Sequence, residues 1–89
     1  MTKTESEILK IVADWLQEHL GINPDRVQME TSISEDLLMD SLDNVEIVMA
    51  LEEIFKVEIN DEVGGRWRTI GDIVRFVAAQ PVEGAADTR

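Results

Sequence analysis

Eighty-nine residues without a single cysteine make one small domain, which must fold without disulfides or thiolate-bound metal and has no thiol nucleophile of its own. Nineteen acidic against eight basic side chains leave a net charge of −11, which repels phosphate backbones and anionic lipid and argues against nucleic-acid binding. No apolar run approaches the roughly 20 residues that cross a bilayer, and residues 1–7 lack a basic stretch followed by an apolar core; neither a membrane span nor a signal peptide is expected, and the cytoplasm is the expected location.

Ile8, Ile11, Val12, Trp15, Leu16 and Leu20 recur at i, i+3, i+4 spacing, predicting a first helix from Glu5 to Leu20 that Gly21 stops. A long connection to Asp40 follows. In it Asn23-Pro24 reads as the cap and first-turn proline of one short turn, and Val27, Ile33 and Leu37 are expected to pin the connection to the core. Ordered loops of this length in small domains are often functional. A second helix, over 42–56, is expected to start from Asp40 as N-cap, with Asp43 three residues on. Asp61-Glu62-Val63 predicts a brief turn broken by Gly64-Gly65. Thr69 then caps a last helix, with Asp72 at its third position and Ile70, Ile73, Val74 and Val77 on one face. Residues 80–89, QPVEGAADTR, read as a disordered tail after a domain spanning 1–79. The expected fold is all-α: a small bundle of three main helices plus a short helical turn, with a long loop between the first and second helices. Nothing suggests an obligate oligomer, so a monomer is expected.

The second helix carries two apolar faces. On a wheel of 100° per residue, Ile47, Val48, Leu51, Ile54 and Phe55 share a sector of about 100°, the expected core stripe. Opposite them Leu42, Val45 and Met49 line up, with Glu46 and Glu53 among them and Glu52 at the edge. Either another segment covers this strip or it is a docking face, with apolar residues giving contact area and acids steering. From Glu35 to Glu62 there are ten acids and one base, Lys56, which suits a surface for basic partners as well as plain solubility.

Ser41 begins this helix between Asp40 and Asp43. A hydrolytic serine needs a base, yet the only histidine, His19, falls near the end of the first helix, and the acids around Ser41 disfavour developing negative charge. Two other readings remain on local spacing: Ser41 as a helix cap, or as an accessible modification site beside a recognition face.

The stretch DSLDNVEIVMALEEIFKVEI, residues 40–59, resembles the acyl carrier proteins of fatty-acid and type II polyketide synthesis. The resemblance extends over nearly the whole domain: a first helix ending in Leu20-Gly21, a long loop, Glu35-Asp36-Leu37 ahead of the serine, and a final capped helix. It implies that Ser41 receives 4′-phosphopantetheine, whose thiol carries acyl groups as thioesters, and that the chain is a carrier and not an enzyme. Implied partners are a phosphopantetheinyl transferase and acyltransferases, ketosynthases and related synthase enzymes whose basic patches dock on Asp40, Leu42, Val45, Glu46, Met49, Glu52 and Glu53. Ile47, Leu51, Ile54, Ile59, Trp67, Ile73 and Val77 are candidate liners of an acyl pocket, although ordinary core packing is the favoured reading for each one singly. Two departures stand out. Many members have Gly-Ala before the D-S-L motif, where this chain has Leu38-Met39; two larger residues there add to the docking surface or narrow a cavity mouth. Trp67 stands where a medium aliphatic residue is usual, which implies a reshaped pocket for a short or unusual acyl group, or an arm kept mostly outside.

Rival functions fit less well. Aminoacyl and peptidyl carriers typically show G-G-x-S before the serine, unlike Met39-Asp40-Ser41. An EF-hand loop beginning at Asp36 has Leu38 and Leu42 where a ligand and the central glycine belong, and Ile47 at the twelfth position. An acidic interaction domain that never acquires an arm is the third alternative.

Overall fold

The computed structural model describes residues 4–80, so the expected tail from Pro81 onward lies outside the described residues. Four helices, α1 (Glu5–Leu20), α2 (Ser41–Phe55), α3 (Asp61–Arg66) and α4 (Ile70–Ala79), are joined by loops, with a 3₁₀ turn at Pro24–Arg26. The expected all-α bundle is the observed one.

Local chemistry sets the helix boundaries. α1 starts in a reciprocal capping box: the Glu7 N–H donates to Thr4 Oγ1 at 3.2 Å and the Thr4 N–H to Glu7 Oε1 at 2.9 Å. It ends at Gly21 with φ 70°. α4 opens in the same way on Thr69 and Asp72. The Arg68 N–H, against an opposing penalty from burial and aided by the Thr69 N–H and the Arg75 guanidinium, holds the Asp72 carboxyl below its ordinary range. Its contribution to stability is present above that ordinary range and is lost as pH falls through the lowered value.

α1 packs chiefly on α4, while α2 meets α3. Ile8, Val12, Leu16, Ile47, Leu51, Ile70, Ile73 and Val74 are fully buried, each worth about 1.5–3 kcal/mol. Val27, Ile33 and Leu37 are buried as expected. They fasten the connection between α1 and α2 as a strap across the bundle. Its backbone is tied to the start of α4: the Ile33 N–H donates to Arg68 O (2.9 Å), Ile70 N–H to Thr31 O (3.0 Å) and Gly71 N–H to Met29 O (2.7 Å). Within the strap, the buried Thr31 hydroxyl donates to Arg26 O at 2.8 Å, and Arg26 donates to Asp36 O.

Two expectations need correction. The Gly64-Gly65 pair does not break α3, which continues through both glycines to Arg66. A Cβ on Gly64 would stand 2.9 Å from Val48 Cγ2, so the bare backbone there is what lets α3 press against α2, and Asn60 starts the helix by accepting the Val63 N–H. Ile54 is not part of the core stripe; it is 44% exposed at the last turn of α2, whereas its neighbour Phe55 is half-buried against the core.

Candidate functional site

Asp40 is the N-cap of α2, with Oδ1 accepting the Asp43 N–H at 3.0 Å while Asp43 Oδ2 accepts the Asp40 N–H at 3.2 Å. The cap role therefore belongs to Asp40, which frees Ser41. The serine occupies the first helical position, exposed, and its hydroxyl makes no hydrogen bond to any described residue. His19 is engaged elsewhere: its ring stacks on Trp15 with centroids 4.5 Å apart, and its Nδ1 lies 3.1 Å from Trp15 O.

The two residues before Asp40 divide their roles. Met39 is buried and anchors the chain entering α2, whereas Leu38 is 78% exposed with φ 56°. This left-handed conformation is costly for a branched side chain. Leu38→Gly should raise stability by about 0.5–1 kcal/mol, the relief of strain exceeding the entropy that glycine adds to the unfolded chain. Thermal denaturation would show it as a melting point a few degrees higher; an unchanged or lower one would mean that the leucine side chain contributes a contact outweighing its strain.

Ser41 opens on a cleft of about 880 Å³ between α2 and α3, within the range of small-molecule sites. Its inner surface is formed by Met39, Val48, Ile59 and Gly64, all buried or half-buried. Its rim carries Asp40, Val45, Met49, Asp61 and Gly65, and Asn44 and Glu52 stand half-buried between. Of the candidate pocket liners, Ile59 faces this cleft. Ile47, Leu51, Ile73 and Val77 lie in the core instead, and Ile54 is exposed at the end of α2. Trp67 packs against Phe76 with ring centroids 5.6 Å apart and is absent from the cleft wall.

Beside the cleft Leu42, Val45 and Met49 are 67%, 53% and 61% exposed, so no described segment covers the second apolar face of α2. Glu46 and Glu53 are exposed along it. Glu52 differs from them: its Oε2 accepts the Ile59 N–H at 2.9 Å, tying α2 to the segment that leads into α3. This bond closes over seven residues and follows no helical spacing, so local sequence patterns do not reveal it. Asn44 likewise escaped notice, although its position one turn after Ser41 places it on the same side of the helix.

Comparison with known proteins agrees with this arrangement. A family model described as "Acyl-carrier" matches residues 2–87. The chain is 45% identical over 73 residues to the acyl carrier protein of Thermosynechococcus vestitus, covering 82% of this chain and 90% of that one. It is 46% identical over 72 residues to that of Caulobacter vibrioides (81% and 92% covered) and 52% identical over 60 residues to that of Wolinella succinogenes (67% and 79% covered).

Proposed function

The chain belongs to the acyl carrier protein family, and from that premise we propose that it carries acyl intermediates on a 4′-phosphopantetheine arm attached to Ser41, presenting them to biosynthetic enzymes of fatty-acid or polyketide type. Members of the family are carriers, not enzymes. The observation that supports Ser41 most directly is its setting: an exposed hydroxyl without an internal partner, at the first position of a helix and on the lip of a cleft. When bound, the arm supplies the thiol that this cysteine-free chain lacks and holds acyl groups as thioesters.

The residues around Ser41 suit a phosphodiester. At the start of α2 the backbone N–H groups and the helix dipole favour a negative group. Asp40 and Asp43 would repel one, but each carboxylate is already turned to a backbone N–H of the capping box. In attachment the Ser41 oxygen bonds to phosphorus, its proton passes to the transferase, and the nucleotide portion of the donor leaves. Asp40, Leu42, Val45, Glu46, Met49, Glu52 and Glu53 form the face that meets the phosphopantetheinyl transferase and the acyltransferases and ketosynthases, whose complementary patches are basic. Long-range attraction speeds encounter, and a small apolar contact keeps release fast. The working form is a monomer in the cytoplasm.

Incubation with coenzyme A and a promiscuous phosphopantetheinyl transferase, followed by intact-mass spectrometry, tests this reading. The chain should gain the mass of one phosphopantetheine group, and Ser41→Ala should gain none. A wild-type mass that stays unchanged would leave an acidic interaction domain as the better description.

A further inference from the structure

The cleft beside Ser41 is apolar in its bulk but holds two polar side chains with unused capacity. Glu52 is half-buried; its Oε2 takes the Ile59 N–H, while Oε1 has no partner among the described residues. Asn44, also half-buried, has no side-chain hydrogen bond to any described residue. Val45, Val48 and Met49 surround them on the same helix. A saturated chain laid into this cleft would strip water from a carboxylate oxygen and an amide without replacing the lost hydrogen bonds, and that desolvation opposes the gain from apolar contact.

An ionised carboxylate accepts hydrogen bonds and donates none. Glu52 Oε1 therefore discriminates by the direction of the bond. A hydroxyl or amino group on the cargo satisfies it; a keto oxygen or a second carboxylate does not. Asp40 and Asp61 on the rim further disfavour an anionic cargo. Asn44, nearer to Ser41, both donates and accepts and is suited to the amide-bearing arm as well as to the cargo.

Resting on the carrier reading above, we propose that the cleft prefers acyl groups bearing a hydrogen-bond donor, a hydroxyl or an amine, over saturated acyl groups of the same length. Saturated, 3-hydroxy and 3-amino acyl chains of equal length are transferred with the arm from their coenzyme A thioesters, loading is verified by mass, and the melting temperature of each form is measured. The donor-bearing forms should melt about 4 °C or more above the saturated form. The order of hydroxyl and amine identifies which donor the site takes. Glu52→Gln keeps an acceptor for the Ile59 N–H but presents an amide nitrogen, which donates, to the cleft; it should erase the advantage of the 3-amino form, whose ammonium cannot accept, while the 3-hydroxy form, able to accept from the amide, keeps part of its own. Asn44→Leu is the second variant and should raise the stabilisation given by the saturated chain. Equal or greater stabilisation by the saturated chain in the wild type overturns the proposal, as does an advantage of the 3-amino form that survives Glu52→Gln. Failure of Ser41 to accept any arm is a separate outcome, visible in the mass, and overturns the carrier reading itself.

Discussion

Gly71→Ala should unfold about 5–20 °C below the parent chain, with the sign set by geometry rather than helix propensity. Alanine in a helix gains about 0.5–1 kcal/mol over glycine. A Cβ at position 71, however, would stand 2.7 Å from Met29 O and 3.0 Å from an Arg75 guanidinium nitrogen. The first of these is backbone and cannot rotate away. The strap must move off α4, at a cost of about 1–3 kcal/mol for overpacking. The bonds from Gly71 N–H to Met29 O and from Ile70 N–H to Thr31 O are weakened with it, at about 1 kcal/mol each. Gly65→Ala is the matched comparison, because nothing lies within 4 Å of its Cβ position and it too is helical. That variant should gain the full helix benefit, about 0.5–1 kcal/mol. Thermal melts of the pair should move in opposite directions; a Gly71→Ala protein as stable as the parent would mean that the strap yields freely.

Glu46→Lys combined with Glu53→Lys should lower kcat/KM for arm attachment by on the order of tenfold or more at low salt. Both side chains are exposed on the apolar-acidic face of α2, and neither has a hydrogen bond or ion pair among the described residues. The melting point should therefore change little. The defect should shrink as salt rises toward physiological strength, because screening weakens steering for both proteins. Glu18→Lys with Glu30→Lys changes the net charge equally at exposed positions outside α2 and should preserve most of the activity. Equal losses from the two pairs would assign the effect to net charge and remove the case for a docking face.

Features written into neighbouring residues were legible in the sequence. The i, i+3, i+4 pattern located α1, and the Asp40–Asp43 and Thr69–Asp72 spacings located the starts of α2 and α4. Asn23-Pro24 located the short turn as well. What escaped notice depends on contacts between distant segments. Gly64-Gly65 has poor helix propensity, and only the nearness of Val48 explains why α3 tolerates and needs it. Lys56 ends α2 with φ 56°, and Leu38 takes the same conformation, although neither is a residue type that announces it. A helical wheel gives the direction of a side chain but not what packs against it, so it cannot show that Ile54 is exposed. At the site, the serine and the second apolar face could be read directly. The hydrogen bond from Ile59 to Glu52 could not, since it gives a carboxylate assigned to the surface a second task inside the fold.

The bonds between the strap and the start of α4 also bear on timing during synthesis. The Met29 and Thr31 carbonyls and the Ile33 N–H find their backbone partners in Gly71, Ile70 and Arg68, far downstream in the chain. A nascent polypeptide that has reached only Phe55 possesses the serine and its helix sequence but not the clasp that fixes the approach to it. A catalyst that requires Ser41 in its folded setting should therefore act only after translation has passed the opening of the final helix.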